Sequence, residues 1–186
     1  MCANCATKNS TIYKISAISS DGNVKNEVGG IEKIPDFGQP DVVTLFVVRH
    51  AEKLIENGNS NPDLSQVGTA RAVRLGELLR PIKLSKTLTT NTLRTIATAD
   101  PARNMQGGIP IETYAPDRQT MVMNEILRTE KGHFLLVVGH SSTVPDLLNY
   151  LSGTKNYTEI PAQKFDNLYI VTIKNIGDTK VFQYKY

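Results

Sequence analysis

Thr44-Leu45-Phe46-Val47-Val48-Arg49-His50 decides the fold. Its first five residues favour β structure and lack the apolar-polar alternation of a half-solvated strand, which predicts a strand buried on both faces. A second run of the same kind, Phe134-Leu135-Leu136-Val137-Val138, leads into Gly139-His140. Between them, residues 65–80 carry Val67, Ala70, Val73, Leu75, Leu78 and Leu79 near helical spacing, and Pro81 stops the helix. Residues 85–90 read as a short strand, Thr90 or Asn91 caps a helix through about Ala102, residues 111–114 give another strand, and a polar helix fills 119–130. A helix over about 143–151 follows the second apolar run, and 168–173 with 180–184 alternate like a terminal hairpin around Gly177-Asp178. Strands alternating with helices predict an α/β fold of three layers, α/β/α, around a largely parallel central sheet.

The chain has 186 residues, enough for one well-buried domain and too few for two. A composition of 40% hydrophobic and 21% charged residues is that of an ordinary globular protein. A net charge of +3, from 21 basic and 18 acidic residues, makes no basic stripe, so no nucleic-acid partner is expected. No apolar run approaches the roughly 18 residues that would predict a membrane-spanning helix.

Residues 1–40 are polar, contain Gly29-Gly30, Pro35 and Pro40, and have one weak strand-like patch at 11–18. They read as an amino-terminal extension, loosely packed, with the catalytic domain over 41–186. Cys2 and Cys5 form a Cys-Ala-Asn-Cys sequence that no strand precedes, which argues against a thioredoxin-like redox motif. As it stands the sequence has no charged and apolar leader and is read as cytoplasmic. An exported or lipid-anchored form would require a leader removed before Cys2 or Cys5.

Both apolar strands end in histidine, and ligands in such sheets gather beyond the carboxyl ends of the strands. If the two are parallel neighbours, His50 and His140 arrive at one edge. The helix after 85–90 brings Arg94 to the same edge within its first turn, where helix N–H groups favour an anion. Two arginines and two histidines suit phosphoryl transfer. Arg49 and Arg94 offer planar forks that match phosphate oxygens, with Lys53 as a further contact. His50 would attack phosphorus to give a phosphohistidine, and His140 would donate to the equatorial oxygens. Asp117 is the first candidate for the acid that protonates the leaving group and Glu52 the second. His133, at the entering end of its strand, reads as a surface residue. No His-x-His or His-Glu-x-x-His pair occurs, so neither a metal nor another cofactor is expected.

Arg49-His50-Ala51-Glu52-Lys53 after an apolar strand resembles the Arg-His-Gly signature of the histidine phosphatase superfamily, which includes the cofactor-dependent phosphoglycerate mutases and small bacterial phosphohistidine phosphatases. Asp63-Leu64-Ser65-Gln66-Val67-Gly68 with Ala70 is similar to the segment that opens its first helix. Thr92-Leu93-Arg94-Thr95 with Thr98-Ala99 is similar to its second phosphate-arginine motif, and Val138-Gly139-His140-Ser141 to its closing histidine motif. The likeness runs in order over about 42–153. Two departures stand out: Ala51 replaces the usual glycine, and the usual glutamine near Ala97 is absent.

The resemblance implies a phosphoglycerate mutase-like fold with Arg49, His50, Arg94 and His140 as its catalytic core and His50 as the phosphorylated nucleophile. It also implies a metal-independent phosphatase acting on phosphomonoesters or on protein phosphohistidine, with a phosphorylated small molecule or phosphoprotein as partner. The stretch between Arg94 and His140 is short, without the long insertion that carries the acid and lid in the mutases. A phosphohistidine, whose imidazole leaves with little acid help, fits this compact form better than mutase activity does. The rivals are a non-catalytic phosphate-recognising module and a phosphoglycerate mutase-type phosphotransferase. Oligomeric state and physiological substrate are not encoded in any of these motifs.

Overall fold

The computed structural model describes residues 11–55 and 58–186, so Cys2, Cys5 and part of the loop after Leu54 lie outside the described residues. Strands β1 (Ile15–Ile18), β2 (Asn23–Asn26) and β3 (Ile31–Lys33) come first in the chain. There follow β4 (Val43–Arg49), α1 (Gln66–Leu79), β5 (Leu84–Thr90), α2 (Leu93–Asn104), β6 (Ile111–Tyr114) and α3 (Gln119–Thr129). The chain closes with β7 (Phe134–Gly139), α4 (Thr143–Ser152), β8 (Asn167–Asn175) and β9 (Asp178–Lys185).

The central sheet has six strands in the order β6-β5-β7-β4-β8-β9. Pairs β6·β5, β5·β7 and β7·β4 are parallel, while β4·β8 and β8·β9 are antiparallel. Every residue of β4 is buried, as its unbroken apolar run requires. Alternate residues of β4 and β7 serve opposite faces. Phe46, Val48, Leu136 and Val138 pack with Leu75, Leu78 and Leu79 of α1 and Ala99 and Ala102 of α2. Leu45, Val47, Leu135 and Val137 pack with Met123 and Ile126 of α3 and Leu147, Leu148 and Leu151 of α4. This is the expected three-layer arrangement, and its central strands form the mostly parallel part of the sheet.

Residues 11–40 depart from the loose packing expected of them. β1, β2 and β3 form an antiparallel meander, and Ile15, Ile18, Val24, Ile34 and Phe37 join the same core as α1 and α2. Phe37 lies 4.9 Å, ring centre to ring centre, from Phe134 and 6.2 Å from Phe46. The guanidinium of Arg74 on α1 donates to the carbonyls of Ile15 and Ser16, and the Lys185 N–H of β9 donates to the Tyr13 carbonyl. The Tyr184 hydroxyl donates to the Glu32 carboxylate at 2.6 Å. Each strand is too short to announce itself by periodicity, and its buried residues are spaced among turn-forming polar ones.

Ile15 is fully buried, so Ile15→Ala should cost about 2–5 kcal/mol of unfolding free energy, the range for a large-to-small change in a packed core. Urea denaturation read by circular dichroism checks this. A loss near zero would mean that the meander does not belong to the cooperative unit.

Candidate phosphoryl-transfer site

β4 and β7 pair in a register that sets Arg49 opposite Gly139. The His50 N–H donates to the Gly139 carbonyl at 2.9 Å, and the two histidines leave adjacent strand ends together. Their ring centres are 5.4 Å apart, at an interplanar angle of 65°. His50 is buried and its Nδ1 lies 2.8 Å from the Ala51 carbonyl. A carbonyl only accepts, so Nδ1 carries the proton in the neutral ring and Nε2 keeps its lone pair. His140 Nε2 lies 2.7 Å from the Thr90 hydroxyl at the end of β5, and the His140 N–H donates to the Thr143 hydroxyl at 2.8 Å.

Burial pushes the His50 imidazole down to about 4; the Ala51 carbonyl opposes this, and the positive charges of Arg49 and Arg94 add to it. Burial also pushes His140 down to about 4, again helped by Arg94 and Arg49. Both rings are therefore neutral at physiological pH. Arg94 is the second residue of α2 and half-buried; burial holds its guanidinium below the ordinary value. It opens α2 just beyond the carboxyl end of β5, which is the parallel neighbour of β7, and its charge lowers both histidines.

Arg49 does more structural work than a phosphate grip. Its Nη1 donates to the carbonyls of Pro161, Ala162 and Lys164 at 2.9, 3.0 and 3.1 Å. Its guanidinium carbon sits 4.4 Å from the centre of the Phe165 ring, which in turn lies 6.0 Å from the His50 ring. The segment after α4 is thus pinned over the site by the arginine. Burial lowers the Arg49 guanidinium, and among the charges opposing that effect the Glu159 carboxylate comes first.

Threonines connect the pieces. Thr98 of α2 accepts from the Ala51 N–H at 2.9 Å and donates to the Arg94 carbonyl at 2.7 Å, joining the loop after His50 to the turn that carries Arg94. Thr95 donates to the Thr90 carbonyl at 2.7 Å and closes the β5–α2 turn. Gly68 allows α1 to press on the same loop, since a Cβ there would lie 2.0 Å from the Glu52 carbonyl oxygen. The run Thr87 to Thr98, six threonines among twelve residues, was the available signal for this scaffold, but nothing in it says which hydroxyl meets which group.

The remaining residues singled out in the sequence lie around the histidine strands. Glu52 is held by the Arg71 fork, with its Oε1 2.7 Å from Nη2 and its Oε2 2.9 Å from Nε. Burial alone would raise the Glu52 carboxyl, but the Arg71 hydrogen bonds override it and the net shift is downward, which suits a permanent anion and not a proton donor. Asp117 is exposed, in the one-turn helix Pro116–Arg118 that follows β6. β5 separates β6 from β7, the strand of His140, so those two strand axes lie about 10 Å apart. Lys53 is exposed and bridges to Leu64 at the mouth of the neighbouring loop. His133 is exposed at the entering end of β7, with its Nδ1 3.8 Å from Glu130. Among the described residues no group of three or more His, Cys, Asp or Glu is placed to hold a metal ion.

The family model of the histidine phosphatase superfamily (branch 1) matches residues 45–116, which contain Arg49, His50 and Arg94. Over that segment the chain is similar to the histidine phosphatase superfamily. Solved structures share the fold. A protein histidine phosphatase SixA complexed with tungstate is 17% identical, with 76% of this chain and 96% of that one covered, at a TM-score of 0.62. A phosphoglycerate mutase from Bacillus anthracis is 15% identical, with 78% and 93% covered, also at 0.62. A mycobacterial glucosyl-3-phosphoglycerate phosphatase is 13% identical, with 78% and 98% covered, at 0.59. No curated protein matches the sequence. No helix of the described residues is long and apolar enough to cross a membrane.

The depressed histidines make stability depend on pH. Each folded-state value lies below the unfolded value near 6.5, so as pH falls from about 6.5 to about 4 the unfolded chain takes up protons first and the fold loses stability. The double variant His50→Gln, His140→Gln should show a shallower decline across that window, measured as the urea midpoint at pH 7, 6, 5 and 4.5. Parallel curves for the two proteins would contradict the buried neutral pair.

Proposed function

We propose that this chain is a metal-independent phosphatase that hydrolyses phosphomonoesters or protein phosphohistidine in two steps through phospho-His50. One observation carries the reading: the two imidazoles, 5.4 Å apart at the ends of adjacent parallel strands, with the His50 Nδ1 tied to a carbonyl so that Nε2 is nucleophilic. In the first step Nε2 attacks phosphorus in line as the bond to the leaving group breaks. In the second, water displaces the imidazole and the electron pair returns to Nε2.

The remaining groups stabilise charge. Arg94, at the start of α2, and Arg49 neutralise the phosphoryl oxygens, and Lys53 is an outlying contact for the same anion. In the tautomer in which the Thr90 hydroxyl donates to His140 Nε2, the His140 proton is on Nδ1, and that N–H is the donor offered to the transferring group. The neutral state of both rings supports the reading, since a protonated His50 has no lone pair to give. A pure phosphate-binding module would gain nothing from holding an imidazole unprotonated beside the anion.

His50→Ala should lower turnover of para-nitrophenyl phosphate by at least about 1,000-fold, while retention of near-normal turnover removes the nucleophile. Brief exposure of the wild-type protein to substrate should trap an acid-labile, base-stable phosphoprotein, which a binding module would not yield. EDTA should leave the rate unchanged, and strong inhibition by it would contradict a metal-independent mechanism.

A further inference from the structure

If the chain works through phospho-His50, one role has no owner in the residues above: the base that takes a proton from the attacking water. Glu52 is held by Arg71, and Asp117 is exposed after β6, with β5 between that strand and the strand of His140. The carboxylate brought to the site is a different one.

Glu159 lies in the segment between α4 and β8 and is exposed. The hydroxyl of Ser141, the residue directly after His140, donates to Glu159 Oε1 at 3.0 Å. The backbone repeats the connection, because the Ile160 N–H donates to the Ser141 carbonyl at 2.9 Å. Two residues later the same segment offers its carbonyls to Arg49. Glu159 is therefore fixed between the His140 turn and the Arg49 guanidinium, and it is the first charge to act on that guanidinium. Its second oxygen and its exposure leave it open to water.

We propose that Glu159 is the general base of the second half-reaction, a role that rests on the phosphohistidine reading above. Water forms the new P–O bond as the P–Nε2 bond breaks, and the electron pair returns to His50. The proton of the attacking water passes to the Glu159 carboxylate and from there to solvent, and inorganic phosphate leaves. Ser141 is a positioning residue that aims the carboxylate while leaving one oxygen for the proton.

Glu159→Gln tests this cleanly, because glutamine still accepts from Ser141 but takes no proton. Being exposed, the position tolerates the change without loss of fold. In rapid-mixing experiments with para-nitrophenyl phosphate, the variant should release one equivalent of nitrophenol in a burst, and steady turnover should then fall by roughly 100-fold. Acid-labile phosphoprotein should accumulate, and Glu159→Asp should recover part of the rate. Turnover within about threefold of wild type, or slow turnover without a burst or phosphoprotein, overturns the assignment of Glu159. If instead the wild-type protein forms no phosphoprotein and His50→Ala is fully active, the phosphohistidine reading itself fails, and Glu159 with it.

Discussion

The site depends on one strand pairing. In the β4·β7 ladder each residue from Thr44 to Arg49 meets one from Phe134 to Gly139, and the His50 N–H completes the ladder on the Gly139 carbonyl. Because side chains alternate across a sheet, a slip of one residue would send every apolar side chain of one strand to the wrong face. The two cores, one on each side, therefore lock the register, and the register delivers the imidazoles together. Hydrophobic packing far below the sheet edge sets the geometry of the polar chemistry at its rim.

Around that pairing, the histidines and Arg49 are each held by neutral partners. Carbonyls and threonine hydroxyls hold the histidines, and loop carbonyls hold Arg49. The one strong carboxylate-guanidinium pair next to His50, Glu52 with Arg71, is directed away into the Tyr186 end of the chain, where Arg71 also donates to the Tyr186 carbonyl. Burial then acts on the imidazoles with little opposition from negative charge, and that is why both stay neutral.

What could be read from the residues was the part written in local patterns. The runs 44–48 and 134–138, the helical spacing of 65–80 and the terminal hairpin each predicted an element now seen, and the histidines after the two apolar runs pointed to the site. The parallel pairing of those runs had to be supposed, and the structure supplies it. The meander over 11–40 escaped because its strands have three or four residues, and their burial comes from partners in α1 and β9. Sequence position offered Asp117 and Glu52 as acids; the first is exposed beyond β6, with β5 between it and the strand of His140, and the second is paired with an arginine nineteen residues away. Glu159 and Phe165 escaped because they stand beyond the last motif and reach the site only through a loop that Arg49 gathers in.

β9 is the outermost strand of the central sheet, and an outermost strand presents unpaired N–H and C=O groups to any other chain. The residues just before β1 reach the last residue of that strand, where Lys14 bridges to Lys185 and the Tyr13 carbonyl accepts from the Lys185 N–H. The amino-terminal segment thereby blunts part of an adhesive border. A shortened chain lacking it would expose both that border and the apolar side of α1, a combination that favours self-association over a solitary folded molecule.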